Sequence, residues 1–444
     1  MKVFKFGGAS VNSVDRIQNL GSIVKLYEKE SLVIIISAMG KTTNGLEKVV
    51  EAFFAGNKQE ALQLFDAVKQ YHINISKYLL VTHFNNCLAQ LTDFFTEVEW
   101  LLHDKPVREF DYYYDQVVCV GELLSTCIIS YYLNESGIRN EWLDVRDLVR
   151  TDNNFRDAGI DWAITEEKIQ LAVGRKQMTD DRGRVTGDRG QMTERNTDNH
   201  QLATNIFITQ GFIGSTDDNE STTLGREGSD YTAAVFANIL DAESLSIWKD
   251  VEGVMNADPK LFPDAQLISE LNFTEVIEMA YYGAQVIHPK TIKPLQNKGI
   301  PLHVKCFLDP SLPGTVIHKK NIKDLPPIIV IKQNQALLHL NSLDFSFVGE
   351  EPMSKLYKLF SKIKLHTNLI QTGAIGVQVC LDYRANKIEE LASEASDLFD
   401  VQVEKELSLL TIRHYTAEVF EKLTEGKKIV LTQRTEQTIQ ALYK

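Results

Sequence analysis

Ser31 to Ser37 (SLVIIIS) is an apolar run of strand length with no polar alternation. A strand without a polar face must be covered on both sides, as parallel strands inside α/β sheets are. Its neighbours follow the same plan. Lys2-Val3-Phe4-Lys5-Phe6 reads as a strand and Gly7-Gly8-Ala9-Ser10 as a turn. Val14 to Tyr27 then reads as an amphipathic helix, with Val14, Ile17, Leu20, Ile23, Val24 and Tyr27 on one side. Trp142 to Arg146, Asn205 to Thr209, Ser244 to Trp248 and Pro301 to Lys305 add further strands. Residues 46–103 and Val117 to Leu133 read as helices. The 444 residues suffice for two or three domains.

Charge and cysteine usage exclude several classes. A net charge of −13 argues against a nucleic-acid surface. Cys87, Cys119, Cys127, Cys306 and Cys380 are scattered without a CxxC pair, which favours reduced thiols in the cytoplasm and no zinc site. No secretory leader is expected before the first strand, and no apolar run reads as long enough to span a bilayer. Residues 174–201, polar with a small internal duplication, read as an exposed loop.

Polar residues gather where the strands end, the edge at which open α/β sheets bind ligands. Lys5 precedes the glycine turn, a good place for a point charge on a transferring phosphoryl group. Gly7 and Gly8 form the kind of turn that brings backbone N–H groups to phosphate. Ser37 and Thr43 flank the loop after the SLVIIIS run, as ligand contacts or as plain loop and cap hydroxyls. Glu122 is the single carboxylate in VVCVGELLSTCIISYYL, so it needs a partner. It reads as a carboxylate aimed at a substrate ammonium group, with a helix-start Glu as the alternative. Thr222 to Ala234 (TTLGREGSDYTAA) sets Arg226, Ser229 and Asp230 at the start of an apolar helix. Free N–H groups there favour an anion, and an Arg beside them can hold a carboxylate bidentately. The bland reading is a turn with a capping box. Lys249 and Lys260 follow another buried strand, near where phosphates would lie. Phe212 reads as a pocket wall or as core, Tyr112 to Tyr114 as packing, and His288 before Pro289 as structural.

These segments, in this order, resemble the aspartate kinases. The match runs through KFGGASV at 5–11, the Ser37–Asn44 loop, GELLST at 121–126 and TQGFIG at 209–214. It continues through TLGREGSDYTA at 223–233, WKDVEG at 248–253, NADP at 256–259 and GAQVIHPK at 283–290. The resemblance implies a three-layer α/β amino-acid-kinase fold with a largely parallel sheet. It also implies transfer of the γ-phosphoryl group of ATP, with Mg2+, to the β-carboxylate of L-aspartate. By that likeness Arg226 holds the substrate α-carboxylate and Glu122 its ammonium group, while Ser37, Thr43 and Ser229 seat it. Lys5 and Asp230 are the catalytic pair. Gly7, Gly8, Lys249, Asp250, Met255, Asp258, Lys260 and Gln285 lie toward the nucleotide. No protein-bound metal is implied.

The chain departs from that pattern at Ala9, Glu227, Lys249, Met255 and Gln285, where the family usually has Thr, Gly, Thr, Tyr and Lys. Lys249 is read as partly replacing the charge absent at Gln285. The expected domains are a catalytic part at 1–307, a linker at 308–327 marked by prolines, and 328–444. In that last region strands at Ile328–Lys332, Ala336–Leu340, Gly376–Leu381 and Leu407–Arg413 alternate with helices. It looks like the α+β ACT-like regulatory pair of aspartate kinases with its second unit shortened. This implies a homodimer and a possible amino-acid effector, in a protein without nucleic-acid or membrane partners. The alternatives are a kinase of another small amino acid, or a catalytically weak amino-acid-binding regulator.

Overall fold

The apolar runs become the middle of one sheet in a computed structural model that describes residues 1–174, 205–284 and 287–444. Its strands are β1 (Lys2–Phe6), β2 (Leu32–Ile36), β3 (Glu141–Leu143) and β4 (Ile206–Gln210). A hairpin of β5 (Ile213–Ser215) and β6 (Ser221–Thr223) follows, then β7 (Ser244–Lys249). The ribbon strands β8 (Val254–Met255) and β9 (Leu267–Ile268) precede β10 (Glu270–Asn272), β11 (Leu302–Cys306) and β12 (Thr315–His318). The main sheet runs β10-β12-β11-β7-β1-β2-β4-β3. Its neighbours are parallel except β11 with β12. All five residues of β2 and of β4 are buried, as strands covered on both faces require.

Helices α1 (Val14–Lys25), α2 (Thr42–Phe54), α3 (Lys58–Leu79) and α4 (Phe84–His103) account for the expected helical stretch. The helix expected at Val117 to Leu133 is longer and has two parts, α5 (Phe110–Val118) and α6 (Val120–Glu135). Together Phe110–Glu135 is long and apolar enough to cross a membrane, contrary to the expectation from sequence. However, 83% of its most apolar window is buried inside the protein, so its apolarity is that of a core helix. The 174–201 reading lies outside the described residues, apart from Gly174 at the end of a π-helical turn.

The described residues divide into two compact units. The first carries the main sheet and includes Met1–Val254, Ser269–Ile277 and Ile287–Asn321. The second includes Met255–Ile268, the segment from Glu278, and Ile322–Lys444.

In the second unit β13 (Ile328–Ser342), β14 (Thr367–Thr372), β15 (Gly376–Asp382), β16 (Phe399–Arg413), β17 (Ile429–Arg434) and β18 (Thr438–Tyr443) form an antiparallel sheet. Its order is β14-β15-β13-β16-β18-β17. The two short strands expected at 328–340 are halves of β13, which runs through with register shifts between Lys332 and Leu337. Polar Lys332, Gln333 and Asn334 look like a break in sequence, but an irregularity absorbs them inside the strand. One half of β13 and β16 builds a core with Leu356, Phe360, Val379 and Ile388. The other half packs Leu410 and Ile412 with Ile439. The helix Ala417–Thr424 on that side buries no residue completely, so the second half is the slighter one.

Candidate active site

Parallel register decides which loops meet. Phe6 pairs with Ile36 and Trp248, and Ile36 with Gln210, so the loops after β1, β2, β4 and β7 leave one edge together. A cleft of about 440 Å3 opens at that edge. Lys5, Gly8, Ser37, Thr43, Glu122, Arg226, Ser229 and Asp230 all line it. Sequence separations of more than two hundred residues collapse here, and eight of the residues named from sequence share one cavity.

On the cleft floor Lys5 Nζ lies 2.6 Å from Asp230 Oδ1, with both side chains nearly buried. Burial pushes the Asp230 carboxyl up, but the Lys5 and Lys249 cations outweigh it and hold the group below the usual carboxylate range. Asp230 is in the first turn of the Gly228–Ile239 helix, whose residues from Gly228 to Ala237 are all buried. Gly8 is tightly constrained: a Cβ there would meet the Ala38 carbonyl oxygen at 2.4 Å. The turn after β1 therefore touches the loop after β2, and backbone lines the cleft where a side chain would fill it.

Glu122 enters from the first turn of α6 and is 3% exposed. Its Oε1 accepts a hydrogen bond from the Ala38 N–H at 3.3 Å. Its Oε2 is buried with no hydrogen-bond partner among the described residues. Burial pushes this carboxyl up to about 8, against the pull of the Ala38 N–H and the Lys5 charge. A buried acceptor left open beside a cleft is suited to a cationic ligand group.

Arg226 stands exposed at the lip, and among the described residues its guanidinium has no hydrogen bond or ion pair. The backbone on both sides of it takes left-handed conformations, with φ +75° at Gly225 and +54° at Glu227. Glu227 is a non-glycine in that region, and its carboxylate accepts the His288 N–H at 3.1 Å. This charge is therefore engaged by backbone beside Arg226.

Phe212, read as a pocket wall or as core, lines the cleft. Residues that the sequence reading gave no role also build it: Tyr114, Arg156 and Thr223. Asp115, wholly buried on α5, accepts the Thr223 N–H at 2.8 Å, the Thr223 hydroxyl at 2.7 Å and the Arg156 N–H at 3.0 Å. Burial pushes its carboxyl up to about 6, against those hydrogen bonds. The available signal was a carboxylate next to an apolar run; the preceding three tyrosines gave the segment the look of packing.

The nucleotide-side residues are distributed differently. Gly7 adjoins the Lys5 ammonium, and Lys249 ends β7 close enough to act on Asp230. Asp250 holds Arg16 through two oxygens at 2.8 Å. Met255, Asp258 and Lys260 belong to the second unit, where Asp258 accepts the Lys260 N–H at 2.9 Å. Gln285 lies outside the described residues. No group of three or more His, Cys, Asp or Glu side chains placed to hold a metal ion occurs among the described residues.

A parallel sheet whose strand ends present a glycine turn, a Lys–Asp pair and an exposed guanidinium defines the class. Residues 1–306 match the amino acid kinase family, and the chain belongs to it, among the aspartokinases. It is 30% identical over 420 residues to the lysine-sensitive aspartokinase 3 of Escherichia coli (strain K12), covering 92% of this chain and 86% of that one. It is 31% identical over 418 residues to the chloroplastic aspartokinase 1 of Arabidopsis thaliana, covering 91% and 67%. The crystal structure of E. coli aspartokinase III in complex with aspartate and ADP (R-state) superposes with a TM-score of 0.78 at 27% identity. That match covers 100% of this chain and 96% of that chain. The same enzyme in complex with lysine and aspartate (T-state) gives 0.77 at 28% identity, covering 100% and 95%.

Proposed function

We propose that this aspartokinase transfers the γ-phosphoryl group of ATP to the β-carboxylate of L-aspartate, giving 4-phospho-L-aspartate. This is the entry step to lysine, threonine and methionine synthesis, placed in the cytoplasm. The observation that carries the reading is the set of charges in one cleft. The Lys5–Asp230 ion pair, the open buried carboxylate of Glu122 and the exposed guanidinium of Arg226 all line it. That combination suits a small amino acid with a second carboxylate.

In this reading Arg226 takes the α-carboxylate and Glu122 the ammonium group, while Ser37, Thr43 and Ser229 set the pose. The β-carboxylate then points toward Lys5. ATP supplies the phosphoryl group; a β-carboxylate oxygen forms the new P–O bond as the bond to ADP breaks. The nucleophile is already ionised, so no general base is needed and positioning with charge neutralisation does the work. Lys5 offsets charge on the transferring group. Asp230 fixes the Lys5 ammonium and stays charged because of it. Gly7, Gly8, Lys249, Asp250, Met255, Asp258, Lys260 and Gln285 are assigned to the nucleotide side. Magnesium that travels with nucleotide phosphates keeps most of its ligands as phosphate and water, so it requires no protein cage.

The test is ATP turnover with L-aspartate, trapping the acyl phosphate as its hydroxamate, with glutamate and no-substrate controls. Aspartate-dependent hydroxamate is expected. Lys5→Ala should lower kcat by about 10²–10³, the usual loss of one charge-stabilising donor. Arg226→Ala should raise the aspartate KM by about 10- to 100-fold, as loss of a charged hydrogen bond does. Product formed as readily from glutamate would sink the aspartate assignment.

A further inference from the structure

Arg156 is held in a backbone conformation that a side chain disfavours, on the wall of the substrate cleft. Its φ is +70°. Its N–H is fixed by Asp115 at 3.0 Å, and its carbonyl oxygen lies 3.3 Å from where a Gly225 Cβ would stand. The residue is thereby locked beside Gly225-Arg226. Glycine would satisfy this backbone without strain, so the guanidinium itself is the feature that needs a reason.

Its surroundings supply one. The guanidinium lies over the Tyr114 ring at 4.3 Å, with Asp111 Oδ1 at 3.2 Å and Glu47 Oε1 at 4.0 Å. The Arg156 side chain is 42% exposed, and Asp111 and Glu47 are 56% and 38% exposed. Such solvent-screened pairs are weak and yield readily to a better partner. Arg156, Tyr114 and Arg226 line the same cleft, and Arg156 and Arg226 also line an adjoining cavity of about 330 Å3 with His288 and Lys290. The negative groups facing this rim are Asp111, Glu47, Asp157 and Glu227; Asp157 is taken by Lys290 at 3.1 Å and Glu227 by the His288 N–H.

We propose that Arg156 is a second guanidinium of the substrate site, leaving Asp111 to share the α-carboxylate with Arg226 and so setting the preference for a substrate charged at that position. The inference rests on the aspartate reading above.

Arg156→Gly is the informative variant, because glycine suits φ +70° and leaves the Asp115 hydrogen bond in place. The thermal midpoint should hold or rise. The aspartate KM should rise about three- to fivefold, the upper end for a partly screened charge pair, with kcat and the ATP KM within twofold. The α-amide of aspartate, which lacks the carboxylate charge, should lose much less than aspartate on the same substitution. Arg156→Lys should recover part of the loss. An unchanged aspartate KM in Arg156→Gly, or an equal loss for aspartate and its α-amide, overturns the role. Aspartate-dependent turnover by the unsubstituted protein is scored separately, so failure of the kinase reading is not confused with failure of this one.

Discussion

Glu122 shows how one residue changes meaning between sequence and structure. As a lone acid in an apolar segment it demanded a partner. The structure provides one weak donor, the Ala38 N–H, and leaves Oε2 open, with the carboxyl pushed up to about 8. The consequence is a pH dependence with a defined sign. Below that value the empty site holds a neutral Glu122, which must lose its proton before it can pair with the substrate ammonium. Aspartate binding should therefore tighten as pH rises from about 6.5 toward 8.5, up to tenfold per unit for one proton. Initial-rate KM values across that range check it. Glu122→Gln should bind more weakly and give a flat profile over the same interval. A wild-type KM that is constant or rises across this range would exclude the assignment of the ammonium to Glu122.

Among the elements, the hairpin β5–β6 and helix α5 illustrate what local pattern leaves unsaid. Thr223 is the last residue of β6, and Asp115 secures both its N–H and its hydroxyl. The same carboxylate holds the loop that carries Arg156. Three segments distant in sequence are joined through one buried acid whose partners are not legible along the chain. Asp115→Ala strands two N–H groups and a hydroxyl in a buried site. The expected cost is about 2–4 kcal/mol in urea unfolding, a few times that of one unpaired group, with a raised aspartate KM. Asp115→Asn retains an acceptor and should lose about half as much. A destabilisation below about 0.5 kcal/mol, the range of an ordinary surface substitution, would show that the acid does not hold the segments together. By contrast β2 was legible outright, because five consecutive apolar residues admit few other placements. β18 was not read as a strand, since polar Thr438 and Gln440 break its apolar run and only pairing with β16 and β17 makes it one.

At the scale of the molecule, the second unit is a sheet of six antiparallel strands in which β13 and β16 are each 15 residues long and serve three core clusters. The proposed ACT-like pair thus shares its strands, and the division 1–307, 308–327 and 328–444 remains a proposal about function. Phe345 and Phe347 in this unit are 80% and 81% exposed. Paired aromatics left in water favour association, in line with the proposed homodimer. Light scattering should give twice the mass of one chain, and Phe345→Ser with Phe347→Ser should shift it toward the monomer. A monomer at micromolar concentration would remove the dimer. The hydroxamate assay tests the effector: millimolar lysine or threonine should inhibit, and inhibition by neither would remove feedback by these two amino acids.

The sequence by itself pointed to the parallel sheet, to its polar edge, and to Lys5, Glu122, Arg226 and Asp230 as candidates. Unbroken apolar runs, glycine turns and charges at helix starts single them out; the pairing of Lys5 with Asp230 came only from the resemblance. Only the tertiary structure decided which of these residues share a cavity. It also revealed that Asp115 fastens the walls, that the Glu227 carboxylate is taken by the His288 N–H, and that Arg156 stands beside Arg226. The physical reason is that burial, ion pairing and a locked left-handed backbone are properties of neighbours in space. Residues separated by tens or hundreds of positions become such neighbours only when parallel strands bring their C-terminal loops to one edge.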